Sequence, residues 1–161
     1  DFYNPISQFV FKATQPLVGP LQRFLRPFGR FDSASLTLAI ALQAAGIMLI
    51  LALNNIASPN PITLFLWSAI GILGLLLKIY FFALLASIIL SWISPGGSNP
   101  AVYLLYQITE PVMAPVRKLL PPMGGLDFSP ILVFIGINVL EIVVRNLAAS
   151  VGLYPALVMG L

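Results

Sequence analysis

Three long apolar runs dominate the chain, at about residues 33–53, 64–94 and 128–150. Each is long enough to cross a bilayer as an α-helix, which takes ~20 apolar residues. No Asp, Glu, Lys or Arg interrupts the 45 residues between Asp32 and Lys78 or the 31 between Lys78 and Glu110. As one helix the second run would measure ~46 Å against ~30 Å of hydrocarbon, so it must tilt or project into the interface. Polar positions take over between the runs. Residues 54–63 (NNIASPNPIT) form a short, uncharged, turn-like link. In residues 4–31, Ile6, Phe9, Val10, Ala13, Leu17, Leu21, Phe24 and Phe28 recur at steps of three and four, with Lys12, Arg23, Arg26 and Arg30 largely elsewhere. That is an amphipathic stripe with a basic edge.

Set against itself at an offset of 95 residues, the chain matches without a gap. The identical pairs are Asn4/Asn99, Pro5/Pro100, Thr14/Thr109, Pro16/Pro111, Pro20/Pro115, Leu25/Leu120, Pro27/Pro122, Gly29/Gly124 and Asp32/Asp127. Four prolines and a glycine hold register, so backbone geometry is repeated and not apolar composition alone. Residues 1–57 form a first repeat (motif 4–31, span 33–53), and residues 58–161 a second (span 64–94, motif 99–126, span 128–150). The counterpart of the 64–94 span falls before residue 1, so the repeat predicts four spans in the intact protein. Two spans separate the motif copies, which puts both on one membrane face. Their Lys12, Arg23, Arg26, Arg30, Arg117 and Lys118 make that face the cytoplasmic one and leave the C-terminus outside. The fold class expected is all-α integral membrane, with three visible spans in two parallel repeats, each carrying a Pro-broken amphipathic interfacial segment.

Within each motif Asn-Pro suits a helix cap followed by a first helical residue. Thr109-Glu110-Pro111 and Ala114-Pro115 suit further helix starts, and Pro121-Pro122 an end. Such a segment lies most simply in the headgroup plane, where Arg stems snorkel and guanidinium groups meet anionic lipid. A re-entrant hairpin is the alternative and needs burial in protein. At residues 123–130, Gly124 and Gly125 allow a tight reversal, and Asp127 or Ser129 can cap the next helix.

Composition narrows the chemistry. Only 8% of residues are charged and 59% are hydrophobic, against roughly 25% charged in a soluble domain. His and Cys are absent. His or Cys haem ligation, thiolate metal sites, disulfides and Ser-His-Asp triads are thereby excluded, and neither an enzyme nor a cofactor is expected. Eight Lys and Arg against five Asp and Glu, scattered along the chain, give no reason to expect nucleic acid.

Charges inside the spans are the other candidates, because ionisable groups in hydrocarbon face a partner or a cavity. Lys78 lies mid-span, as does Glu141, with Arg145 a turn further on. A Lys78–Glu141 pair sharing its carboxylate with Arg145 reads as a structural clasp, or more sharply as an ion or proton relay. Gln43 and Asn138 match at the same offset and are candidates to hydrogen-bond between the halves. Ala83, Ser87 and Ser91, and Ser68, Gly71 and Gly74, offer close helix–helix approach. Asp32 and Asp127 match as well. An aspartyl pair of the intramembrane-protease kind is conceivable, but neither sits in a Gly-x-Gly-Asp sequence, and capping explains both.

Residues 109–130 (TEPVMAPVRKLLPPMGGLDFSP) closely resemble the signature of the YggT (YlmG) family of bacterial membrane proteins. The motif residues are Thr109, Pro111, Pro115, Pro122, Gly124 and Asp127, with Asp32 matching in the degenerate first copy, which departs from the signature at Arg26, Arg30, Ser33 and Ala34. The resemblance covers essentially the whole chain, except that family members carry another hydrophobic helix before the Asn-Pro. It implies a small bacterial inner-membrane protein, associated with osmotic stress, ion homeostasis, division or envelope organisation, and in chloroplast relatives with cytochrome maturation or nucleoid arrangement. It carries over no catalytic site. The resulting expectation is a non-enzymatic accessory or scaffold protein, its basic motifs bound to anionic lipid, its partners other membrane proteins or further copies of itself. The competing expectation is a small ion-flux protein using Lys78, Glu141 and Arg145.

Overall fold

A computed structural model describes residues 3–25, 27, 32–93, 99–120 and 128–161, and these are helical almost throughout. The helices are α1 (Pro5–Gln22), α2 (Ser33–Leu53), α3 (Pro61–Ile93), α4 (Pro100–Leu119) and α5 (Ser129–Ser150), followed by a short 3₁₀ turn at Pro155–Leu157. Three of them, α2, α3 over Pro61–Leu90 and α5, are long and apolar enough to cross a membrane. The protein is therefore an all-α membrane protein, with its spans where hydropathy puts them.

Polar caps set the helix starts. Asn4, Asn60 and Asn99 each precede a proline, and each side-chain oxygen accepts an amide of the first turn, from Ile6 at 2.9 Å, Thr63 at 2.8 Å and Ala101 at 2.9 Å. Asp32 does the same for α2, accepting from Ala34 N at 3.1 Å. Proline suits the position after the cap, because its missing N–H would have found no partner there. The ends of α2 and α5 are built alike. Ile56 N donates to Leu51 O and Asn55 N to Ala52 O at one end; Leu153 N donates to Ala148 O and Gly152 N to Ala149 O at the other. Asn55 at φ 53° and Gly152 at φ 69° supply the left-handed residue this pattern requires. At the end of α5, Ala148 and Leu153 are buried in one cluster, the apolar contact that accompanies such a cap; at the end of α2 the matching Ile56 is exposed.

The prolines inside the motif helices do not divide them. Pro16 and Pro20 lie within α1, and Pro111 and Pro115 within α4, in contrast to the separate pieces expected from the sequence. Each removes one amide that would have bonded the carbonyl four residues earlier. All four prolines are exposed, as are Lys12 and Gln107, whose carbonyls lose a donor. The freed oxygens thus fall on the side open to solvent or headgroups, where the helix can continue at lower cost.

The contacts group into two compact units: Asp1–Phe9 with Leu77–Ile142, and Val10–Leu76 with Val143–Leu161. In the first, Leu84 of α3, Met113 of α4, and Val133 and Ile137 of α5 form a buried cluster, with Phe81 edge-on to Phe134 at 5.2 Å between ring centres. In the second, Ile47 and Leu51 of α2 pack with Ala148, Leu153 and Val158.

Candidate functional site

The second motif helix, α4, turns Met113 and Thr109 inward, with Val112 and Val116 packed against the first unit's cluster. The Thr109 hydroxyl donates to Leu105 O at 2.8 Å, so it is buried without an orphaned polar group. Arg117 is ion-paired within its own helix, with its side chain 36% exposed. Its guanidinium donates to Glu110 Oε1 at 2.9 Å, an ion pair two turns long that brackets Pro111 and Pro115. Glu110 Oε2 is buried. Lys118 is exposed and remains a surface cation.

The first motif helix, α1, is barer. Val18, which matches Met113, is buried, but Phe9, Leu17 and Phe24 are exposed. Lys12 and Arg23 are exposed too, while Arg26 and Arg30 lie outside the described residues. Asn4 does more than the capping its sequence suggests. It is 4% exposed, and besides capping α1 its amide donates to Pro100 O at 2.7 Å, tying the start of α1 to the start of α4. In the sequence, only the match of Asn4-Pro5 with Asn99-Pro100 hints at this link. Asn4→Ala is expected to destabilise the protein by about 2 kcal/mol through loss of cap and clasp together. Asn99→Ala, which removes a cap from an exposed residue, should cost about half as much; detergent-based equilibrium unfolding compares the two.

Asp32 is a cap. Ser35 Oγ donates to Asp32 Oδ2 at 2.5 Å and Gln22 Nε2 at 3.4 Å, linking the end of α1 to the start of α2. The Ser35 hydroxyl chiefly, with the Ser35 and Ala34 amides, holds the Asp32 carboxyl below its ordinary value of 3.8. A group depressed in the folded state stabilises it above the unfolded value, so this contribution is complete above about pH 4. It is lost as pH falls through the lowered value. Asp127, Pro122 and Gly124 lie outside the described residues. Among the described residues no three His, Cys, Asp or Glu side chains come together to hold a metal.

Of the polar residues in the spans, Lys78, Asn138 and Glu141 belong to the first unit and Gln43 and Arg145 to the second. Lys78 and Glu141 are half-buried; Asn138 and Arg145 are exposed. Asn138 donates to Phe134 O of its own helix at 2.8 Å. Gln43 lies over Gly71, where an added Cβ would sit 2.6 Å from its amide nitrogen. The small residues of α3 receive the tail after α5 as well as α2. Gly74 packs against the backbone of Gly160 and Gly71 against Val158, so the tail after α5 folds back along α3. The Trp67 indole donates to Val151 O at 2.9 Å and anchors the start of that tail. The same unit has an open, mostly apolar groove of about 330 Å³ lined by Thr37, Ile40, Ala41 and Ala44 of α2 and Pro61, Leu64 and Phe65 of α3, suited to hydrocarbon.

A family model described as CCB3/YggT matches residues 1–53 and 66–148. An uncharacterized protein of Pseudomonas aeruginosa is 48% identical over 155 residues, 95% of this chain and 79% of that protein. The uncharacterized protein YggT of Escherichia coli K12 is 42% identical over 166 residues, 100% of this chain and 84% of that protein. The chloroplast protein CCB3 of Arabidopsis thaliana, named for cofactor assembly of complex C, is 37% identical over 67 residues, 41% of this chain and 38% of its own length. No solved structure matches the chain.

Proposed function

The chain belongs to the CCB3/YggT family, and from that premise we propose that it is a non-enzymatic accessory protein of the bacterial inner membrane. Its two motif helices would rest at the cytoplasmic surface and hold it, and whatever complex it serves, against anionic lipid. The observation that carries this reading is the division of labour on those helices. Lys12 and Lys118 are exposed cations on these helices and Arg23 another just past the end of α1, whereas Val18, Thr109 and Met113 on the same helices are buried. Exposed Phe9, Leu17 and Phe24 add apolar side chains suited to the acyl boundary. The excess of Lys and Arg in the motif segments favours the cytoplasmic face. The name of the Arabidopsis relative, which refers to cofactor assembly of complex C, supports a helper role over a catalytic one. Lys78 and Glu141 are read as a structural clasp within the spans.

The test is lipid retention. Lys12→Gln, Arg23→Gln and Lys118→Gln combined should lower the anionic phospholipid that co-purifies with the protein, counted by native mass spectrometry, by about tenfold or more, since each cation near an anionic surface contributes about 1 kcal/mol. Arg117→Gln alone should change it little, because Glu110 already holds that guanidinium. Equal retention by the triple variant and the parent overturns the proposal.

A further inference from the structure

The tail after α5 does not stay at the membrane edge. The Trp67 indole holds Val151 O, Val158 lies on Gly71 and Gly160 on Gly74. From Val151 to Gly160 the chain therefore runs ~10 Å along α3, away from the start of that helix. Gln43 also lies on Gly71, and it is the central residue of the 21 in α2. Half of such a helix is ~15 Å long, which is half of the ~30 Å of hydrocarbon. Gly71 and Val158 thus sit about halfway across the bilayer, and the backbone from Val158 onward is non-helical at that depth.

Non-helical backbone at the centre of a bilayer persists only where protein buries and pairs it or where water reaches it, because hydrocarbon offers no hydrogen-bond partner. Burial is incomplete here: Val158 and Gly160 are buried, but Met159 is 77% exposed and Gln43 half-buried. Pairing is incomplete too. Leu157 N donates to Tyr154 O and Val158 N to Pro155 O, whereas among the described residues nothing accepts from the Gln43 amide or from the backbone N–H of Met159 or Gly160. Donors gathered in this way around Gly71 and Gly74 need a small molecule that accepts as well as donates. We propose that water fills this role: the tail is a re-entrant segment, and water entering beside the link at residues 54–60 follows it to Gln43. The entrance is polar and open, since Asn54, Asn55, Tyr154 and Ala156 are exposed. The result is an aqueous pocket that ends near the bilayer centre. It stands on α2, α3 and the tail and does not depend on lipid binding by α1 and α4.

The chain has no cysteine, so single cysteines can be labelled without background. Gln43→Cys, its neighbour Leu42→Cys and Met159→Cys are treated in native membranes with a charged, impermeant methanethiosulfonate from either side. Ile56→Cys, in the exposed link, marks the entry side. The thiolate is the reactive form, and hydrocarbon suppresses it. Gln43→Cys and Met159→Cys should therefore react about tenfold or more faster than Leu42→Cys, and only from the side that labels Ile56→Cys. Exposure alone predicts the reverse order on α2, where Leu42 is 58% exposed and Gln43 half-buried. A smaller ratio at either position, or labelling from the opposite side, overturns the proposal. Adding Gln43→Leu to Met159→Cys should slow its labelling about threefold or more, because one of the groups that hold the water is gone. An unchanged rate overturns the assignment of Gln43 to the pocket.

Discussion

Replacing Gly74 with alanine is expected to destabilise the protein by about 2–3 kcal/mol, the cost of forcing one carbon into a closed backbone contact. Gly74 lies inside α3, where glycine is ordinarily the poorer choice by about 0.5–1 kcal/mol relative to alanine. It is tolerated because the tail needs the space. An added Cβ would meet the Gly160 carbonyl oxygen and carbon and the Leu161 side chain. The carbonyl is backbone and cannot swing aside as a lysine tip could. Gly160 is just as constrained: at φ 148° its own Cβ would run into Leu75 N and Gly71 O. Expelling the tail would also uncover Leu153 and Val158, which belong to the buried cluster around Ile47. Gly46→Ala is the comparison, because an added Cβ there meets nothing within 4 Å, and it should stabilise α2 by a few tenths of a kcal/mol. Opposite signs for the two substitutions in detergent unfolding, with faster proteolysis of the tail in Gly74→Ala, would bear this out. Equal behaviour would mean that the tail does not seat in the groove.

That fold-back is the part least legible in the sequence. The spans can be read because long uncharged runs have one physical use, and their starts can be read because Asn-Pro and Asp are caps that act within a single turn. The tail offers no charge and no period. Its one local sign is Val151-Gly152-Leu153, a glycine just past a helix end followed by an apolar residue. The small residues of α3 are recognisable as a place of close approach, but spacing alone does not say whether a helix or an extended strand of chain will come close. The continuity of α1 and α4 through their prolines is hidden for a different reason. Proline is costly within a helix chiefly where the carbonyl it frees is buried, and burial is a tertiary property. Arg117 shows the same limit at the candidate site. Its sequence position fits a lipid contact, and the ion pair it makes with Glu110, seven residues away, is not marked by any motif.

Leu84→Ala is expected to loosen α4 from the first unit. Leu84 is 1% exposed and meets Met113 of α4 and Val133 and Ile137 of α5, so the cavity opens where three helices converge. In a soluble core this truncation costs about 2–5 kcal/mol. In a bilayer the transfer part shrinks, because lipid tails are as apolar as leucine, and what remains is lost packing. About 2 kcal/mol is therefore expected, with Ile79→Ala, exposed on the same helix, costing only a few tenths. The more telling readout is local. Amide exchange should quicken across residues 100–119, which depend on Met113, Val112 and Val116 for their seat, since local opening follows loss of buried apolar contacts. It should stay unchanged around Ile47 and Leu51, whose cluster is separate. Unchanged exchange in α4 would mean that this helix is held by something other than its apolar side. The assignment of its opposite side, with exposed Lys118, to the lipid surface would then lose its structural basis.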